Sequence, residues 1–213
     1  MAPMSRTVKK RPYASPTREA KAAATRARIL DAAADLFLRD GYHRSSTAAI
    51  ARAAHTSEAS VFAAFGSKAE LLVAVVTSRV VQHPDFPLGQ SPTWKAFAGR
   101  PDAEPAVQEF ARVVRRAHER SWRLLAVAAA AGHDDPTVAS AVAGGAMRRH
   151  ADCAWLVREA FGVPASEALE ATDAVWTLIS VENYRHLVVE RGWAPQRYES
   201  WLAAMLRAAL PNA

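Results

Sequence analysis

The chain has 213 residues, half of them hydrophobic and 23% charged, with 27 Lys and Arg against 21 Asp and Glu for a formal charge of +6. That balance excludes a disordered polyelectrolyte and permits a real core, and with Cys153 as the one cysteine it excludes an internal disulfide. No secretory signal and no long uncharged apolar run is legible, so the expectation is a cytoplasmic protein without a membrane span, facing an anionic partner.

Ahead of Ile29, Arg6, Lys9, Lys10, Arg11, Arg18, Lys21, Arg26 and Arg28 face a single acid, Glu19. This basic arm is either a solvated tail or a nucleic-acid contact. Ile29, Ala33, Leu36 and Phe37 then form one apolar stripe of a helix, closed by Asp40 and Gly41, where glycine can take the left-handed cap conformation. Ser45, Ser46 and Thr47 supply N-cap chemistry for a short helix through Ala49, Ile50 and Ala53, and His55, Thr56 and Ser57 interrupt it. Glu58 to Phe65 read as a third short helix ended by Gly66. Ser67 with Glu70 fits a capping box opening a fourth helix, whose buried face is Leu71, Leu72, Val75 and Val76.

Five prolines between His83 and Pro105 break the helical pattern and place a domain boundary near Pro84, with a short helix around Trp94 to Ala98. From Pro105 to Ala131, Val107, Phe110, Val114, Ala117, Ser121, Leu125 and Ala128 recur every three or four residues, the pattern of a long amphipathic helix. Asp134 or Asp135 with Pro136 opens another helix that ends at Phe161 and Gly162, with Gly144 and Gly145 expected to bend it. Two last helices follow Pro164 and Pro195, separated by Gly192. Their apolar residues, including Leu169, Val175, Trp176, Leu187, Trp201, Met205 and Leu206, exceed one face, which a dimer interface or a monomeric core can each satisfy. With no alternating β pattern anywhere, the fold class is all-α. The expected organisation is a flexible basic arm over 1–17, a helix-turn-helix domain over 18–83 and a helical bundle over 84–213.

Helix, sharp turn, helix is the geometry in which a second helix enters the major groove while the first crosses the backbone. The stretch ARILDAAADLFLRDGYHRSSTAAIARAAHTSEASVFAAFGSKAELLVAV, roughly Arg26 to Val76, resembles the TetR family of transcriptional regulators in the order and spacing of its elements. The resemblance implies that Ser45, Ser46 and Thr47 lie near the DNA backbone, that Ser57 to Ala64 form the recognition helix, and that Lys68 reaches a phosphate. It also implies a homodimer, a double-stranded DNA operator and a small-molecule pocket in the C-terminal helices. The closing segment ENYRHLVVERGWAPQRYESWLAAMLRAAL is similar, less specifically, to the last helix pair of the family.

The residues themselves agree with part of this. Ala59, Ser60 and Ala63 are small enough for close approach to base edges, and Val61 and Phe65 at i and i+4 can anchor the helix to the core. Ser60 is the candidate for base readout, and Lys68 at a helix N-terminus is the candidate for phosphate. The DNA-contacting set is thus Arg6, Lys9, Lys10, Arg11, Ser45, Ser46, Thr47, Ser57, Ala59, Ser60, Phe62, Ala63 and Lys68. The chain departs from the family pattern at His55 for glycine, Glu58 for a basic residue, Phe62 for tyrosine and Ala64 for histidine. Glu58 also places a negative charge where DNA phosphates would approach.

Trp94, Phe97, Phe110, His118, Trp122, Met147, Trp155, Trp176 and Tyr184 are suited to lining an apolar cavity for an apolar or aromatic effector, although each can equally be plain core. His150 with Cys153, and Glu182 with His186, share helix faces, but two residues do not make a metal site, so neither a metal nor a cofactor is expected. No nucleophile motif, phosphate-cradling glycine loop or H-E-x-x-H pattern occurs, so no catalytic residue can be nominated. Three functions follow in order: a ligand-responsive DNA-binding repressor, a relative with impaired DNA binding acting as a small-molecule-binding protein, and a helical enzyme.

Overall fold

A computed structural model of the chain describes residues 16–80, 91–100 and 102–210. Its elements are helices α1 (Pro16–Arg44), α2 (Thr47–Ala53), α3 (Glu58–Phe65), α4 (Lys68–Val80), α5 (Pro92–Lys95), α6 (Glu104–Ala131), α7 (Pro136–Trp155), α8 (Ala168–Leu178), α9 (Val181–Tyr184) and α10 (Pro195–Ala209). No strand occurs among the described residues, and the fold is all-α.

The stripe on α1 does what its spacing demands, since Ile29, Ala33, Leu36 and Phe37 are all buried. The helix breaks at Gly41, whose φ of +78° is costly for any residue with a Cβ. Ser46 caps α2 by accepting a bond from the Ala49 amide at 3.1 Å, and Ser67 caps α4 through the Glu70 amide at 3.1 Å. Tyr42, Ile50, Val61, Phe65, Leu71, Leu72 and Val75 join the α1 stripe in one core. That core is completed from far along the chain by Leu124, Ala128 and Ala131 of α6 and Val138 of α7.

A second core lies among the C-terminal helices, where Val107, Phe110, Leu156, Val157, Val175, Tyr198, Leu202 and Leu206 are buried together. Helix α6 contributes its first half to this core and its last turns to the other. At 1.5 Å per residue its 28 residues run about 42 Å, so one rigid rod spans both.

Three details differ from the sequence reading. Helix α7 runs through Gly144 and Gly145 without a break, and the irregularity falls later, in a π-helical turn at Leu156–Ala160. The helix expected after Pro164 does not continue to Arg191; it stops at Leu178, and a new one starts at Val181. The reason is local hydrogen bonding: Asn183 donates its side-chain amide to the carbonyls of Thr177 and Leu178 at 2.9 and 3.1 Å, while Ser180 caps the new start. Another π-helical turn, Arg185–Glu190, extends α9. Finally Leu206, which either a dimer interface or a monomeric core could have covered, is fully buried in the chain's own core.

Candidate nucleic-acid interface

Helices α2 and α3 meet across Ala54 to Ser57. His55 sits at the corner with φ of +50°, the position where glycine is the less strained residue. The turn is held by the His55 amide donating to the Arg52 carbonyl at 3.1 Å and the Thr56 amide donating to Ala51 at 3.0 Å. Ser57 then caps α3, accepting from the Ser60 amide at 3.2 Å. Its hydroxyl also lies 2.8 Å from the Ser60 hydroxyl.

Val61 and Phe65 point inward, 1% and 7% exposed, and hold α3 against the core as their spacing predicts. The opposite face presents Glu58, Ala59, Phe62 and Ala63 to solvent with Ser60 half-buried beside them. Phe62, at 47% exposed, is a large apolar side chain left uncovered by the chain's own core. Arg26, unremarked in the sequence beyond its charge, fastens α3 from below: it donates to the Ala64 carbonyl at 2.6 Å and its guanidinium lies 4.0 Å from the centre of the Phe65 ring.

The remaining nominated residues divide. Ser46 is exposed and Thr47 half-buried on the first turn of α2, and the Thr47 hydroxyl donates to the Glu58 carboxylate. Glu58 is thereby drawn toward α2, its charge still on the open face. Ser45 differs from the expectation of a backbone contact: it is 1% exposed and its hydroxyl donates to the Gly41 carbonyl at 2.7 Å, so it closes the end of α1. Lys68 is half-buried at the start of α4, donating to the Tyr42 carbonyl at 3.1 Å and lying 4.2 Å from the centre of the Tyr42 ring. One ammonium hydrogen is thus committed and two are left. Arg6, Lys9, Lys10 and Arg11 lie outside the described residues.

Behind this interface Tyr42 donates its hydroxyl to Asp135 at 2.7 Å, and Asp135 caps α7 by accepting from the Thr137 and Val138 amides. Burial, and then the Asp135 carboxylate, push the Tyr42 phenol above its ordinary range, while the Tyr42 bond holds the Asp135 carboxyl below its own.

Most of the aromatic set nominated as a pocket packs in or against the second core, in several groups. Trp94 lies 5.9 Å from Phe97 and 5.7 Å from Phe110, centroid to centroid, and Phe110 5.9 Å from Phe161, an apolar stack inside the second core. His118 and Tyr184 form a separate group, 5.5 Å apart, with Tyr198, which the sequence did not single out. Trp176 lies beside His150 and below the Arg149 guanidinium, and Trp122 and Trp155 are partly buried against the same core. Met147 stands apart, 69% exposed. Burial holds the His118 imidazole neutral, down to about 4, with help from the Arg149 charge, and pushes the Cys153 thiol up to about 12. His150 pairs with Asp173 at 2.8 Å, Cys153 is buried, and His186 pairs with Glu190 at 2.8 Å. Among the described residues no three His, Cys, Asp or Glu side chains gather as metal ligands. No single described helix is long and apolar enough to cross a membrane.

This geometry, two short helices around a strained corner with the second one bare on its outer face, defines a helix-turn-helix domain. Residues 29–75 match the N-terminal domain of the bacterial regulatory proteins of the tetR family, which shows the likeness of this chain to TetR-family transcriptional regulators. The fold as a whole is similar to solved structures. A protein from Mesorhizobium loti assigned to the TetR family is 19% identical, with a TM-score of 0.65 over 89% of this chain and 96% of that one. NalD of Pseudomonas aeruginosa, the secondary repressor of the MexAB-OprM multidrug efflux pump, is 21% identical, with a TM-score of 0.61 over 90% and 98%. A transcriptional regulator assigned in Saccharomonospora viridis, solved in complex with choline, is 20% identical, with a TM-score of 0.62 over 87% and 96%. At these identities the likeness is one of fold. No curated protein sequence matches the chain.

Proposed function

We propose that this protein is a ligand-responsive DNA-binding transcriptional regulator, a homodimeric cytoplasmic repressor that leaves its operator when a small apolar or aromatic effector binds the C-terminal helices. The observation that carries the reading is the outer face of α3, where Ala59, Ser60, Phe62 and Ala63 stand clear of the core while Val61 and Phe65 anchor the helix. Small side chains admit the backbone to base edges, the Ser60 hydroxyl can meet a donor or an acceptor, and Phe62 offers an apolar surface to a thymine methyl. Ser46, Thr47 and Ser57 at the two helix starts, with Lys68, would meet phosphates, and the basic arm would add contacts beside the half-site. Division of labour at about residue 84 remains part of this proposal, with 18–83 reading DNA and 84–213 binding effector and partner.

The response follows from the two-core helix α6. An effector that prefers one setting of the C-terminal helices would move the last turns of α6, which are part of the core under α3, and so alter the spacing of two recognition helices in a dimer. Such coupling is typically worth about 1 to 3 kcal/mol and acts reciprocally on DNA and ligand. Support for a dimer comes from exposed apolar residues on the closing helices, Leu169 at 73%, Val189 at 42% and Met205 at 36%. A small-molecule-binding relative with impaired DNA binding is the second reading, favoured by the Glu58 carboxylate on the open face of α3. Selection of bound duplexes from a random DNA pool by the full-length protein separates the two: an enriched, palindromic operator supports the regulator, and enrichment no better than with a bead control supports the second reading.

A further inference from the structure

Four polar atoms within the C-terminal helices are buried without a hydrogen-bond partner among the described residues: His118 Nδ1 on α6, Arg149 Nε on α7, Trp176 Nε1 on α8 and Tyr198 Oη on α10. A fifth, Arg207 Nε, lies 2.9 Å from the Glu104 carboxylate and is served by that ion pair. Folded proteins seldom leave one such group unsatisfied, and each of these four comes from a different helix. His118 and Tyr198 are 8% and 0% exposed.

The four fall in two pairs, carried on helices α6, α7, α8 and α10, which pack against one another. The rings of His118 and Tyr198 are 6.4 Å apart, and Tyr184 lies 5.5 Å from the first and 5.1 Å from the second. The Arg149 guanidinium is 5.5 Å from the centre of the Trp176 ring. The positive charge of Arg149 acts on both His118 and Cys153.

We propose that these groups are the anchor for an acidic effector, a monocarboxylate carried on an apolar or aromatic body, with Arg149, Trp176, Tyr198 and His118 as its donors. The inference rests on the effector-responsive reading given above and specifies the ligand's head group. Its logic is the chemistry of the set. The Nε–H of arginine and the Nε1–H of tryptophan can only donate, and a tyrosine hydroxyl and a neutral imidazole can donate as well. A ligand that satisfies them brings acceptors, and a carboxylate brings two oxygens with about four lone-pair sites. One guanidinium matches one negative charge. An ammonium or quaternary ammonium group would offer no acceptor and would meet the charge of Arg149, and choline, seen in the Saccharomonospora viridis protein, would bring a single hydroxyl oxygen. Tyr184, beside His118 and Tyr198, supplies an apolar wall, and Trp122 and Trp155 pack against the same core.

The test titrates the full-length protein with three acids, octanoate, 4-phenylbutyrate and indole-3-acetate, each beside its primary amide and the matching amine, following tryptophan fluorescence and binding heat. At least one acid should bind tenfold or more tighter than its amide and its amine. Arg149→Met should abolish that preference, and Tyr198→Phe should weaken acid binding severalfold, with thermal unfolding of both variants remaining cooperative. The proposal is overturned if an amide or amine binds as well as the acid, if the preference survives Arg149→Met, or if none of the acids binds, which would mean that solvent serves these donors. Displacement of labelled operator is recorded in the same titrations. Acids that bind without moving DNA leave the anchor standing and refute the effector response, whereas neutral or cationic compounds that release DNA do the reverse.

Discussion

Tyr42 and Asp135 stand 93 positions apart in the chain and are joined by one hydrogen bond, the tyrosine hydroxyl donating to the carboxylate at 2.7 Å. The bond ties the end of α1, one residue past the Gly41 break, to the N-cap of α7. Lys68 completes the knot from α4 by holding the Tyr42 carbonyl. The DNA-facing helices and the effector-binding helices of the proposed mechanism thus meet at a polar contact as well as across shared apolar packing.

Removing the Tyr42 hydroxyl with Tyr42→Phe should lower stability by about 1 kcal/mol, the ordinary worth of such a bond. Asp135→Ala removes the same bond and the α7 cap, so it should lower stability by about 2 kcal/mol. The double variant should be no worse than Asp135→Ala alone, because the tyrosine bond is lost only once. Urea unfolding of the three variants measures this, and full additivity would show that the bond contributes nothing.

Ser60→Ala should change base preference at one position in each half-site, since its hydroxyl is the polar group on the open face of α3 small enough to work at a base edge. Lys68→Met should weaken binding to all sequences alike and lower the steepness of log affinity against log salt by about 0.9. Anisotropy titrations on an operator and its single-base variants at several salt concentrations distinguish the two. Loss of sequence preference in Lys68→Met with none in Ser60→Ala would reverse the assigned roles.

His118 gives stability a particular dependence on pH. Its imidazole is held down to about 4 in the folded chain against an ordinary 6.5. Between those values the unfolded chain takes up a proton that the folded chain does not, so the stability present above pH 6.5 is lost as the pH falls toward 4. At pH 5 the loss should reach about 2 kcal/mol relative to pH 7. In His118→Phe the drop over the same interval should be smaller by that amount, read from urea midpoints at the two pH values.

Cys153 should be inert while the protein is folded. Burial pushes its thiol up to about 12, so at pH 8 its thiolate is roughly a thousandfold scarcer than that of an ordinary cysteine. A chromogenic disulfide reagent should modify it within minutes in guanidinium chloride and only on the timescale of unfolding in buffer.

The dimer expectation is tested at residues that the chain's own core does not use. Leu206→Glu would bury a charge in the core and unfold the protein, because that side chain is fully buried. Leu169→Glu and Met205→Glu are the informative changes, at 73% and 36% exposure. Each should leave thermal unfolding of the subunit intact and shift the sedimentation mass at micromolar protein from two chains to one.

The elements that could be read from the sequence alone are those written in neighbouring residues. Apolar spacing of three and four decided the α1 stripe, the α4 face and the length of α6, and small hydroxyl residues decided the caps at Ser46, Ser57 and Ser67. These signals act within one or two helical turns, so the chain carries them without knowing its fold. The helix-turn-helix order from Ile29 to Val75 is of the same kind, and so is the placing of Val61 and Phe65 beneath a bare outer face. What the tertiary structure decided are the facts that depend on how helices cross. It turned Ser45 inward to Gly41, drew Thr47 to Glu58, left Met147 in solvent and buried Leu206. It also set α6 in two cores and brought Tyr42 to Asp135 and Arg149 to Trp176. Each pair is made by side chains on different elements, and periodicity tells which face of a helix is apolar but not which neighbour will cover it.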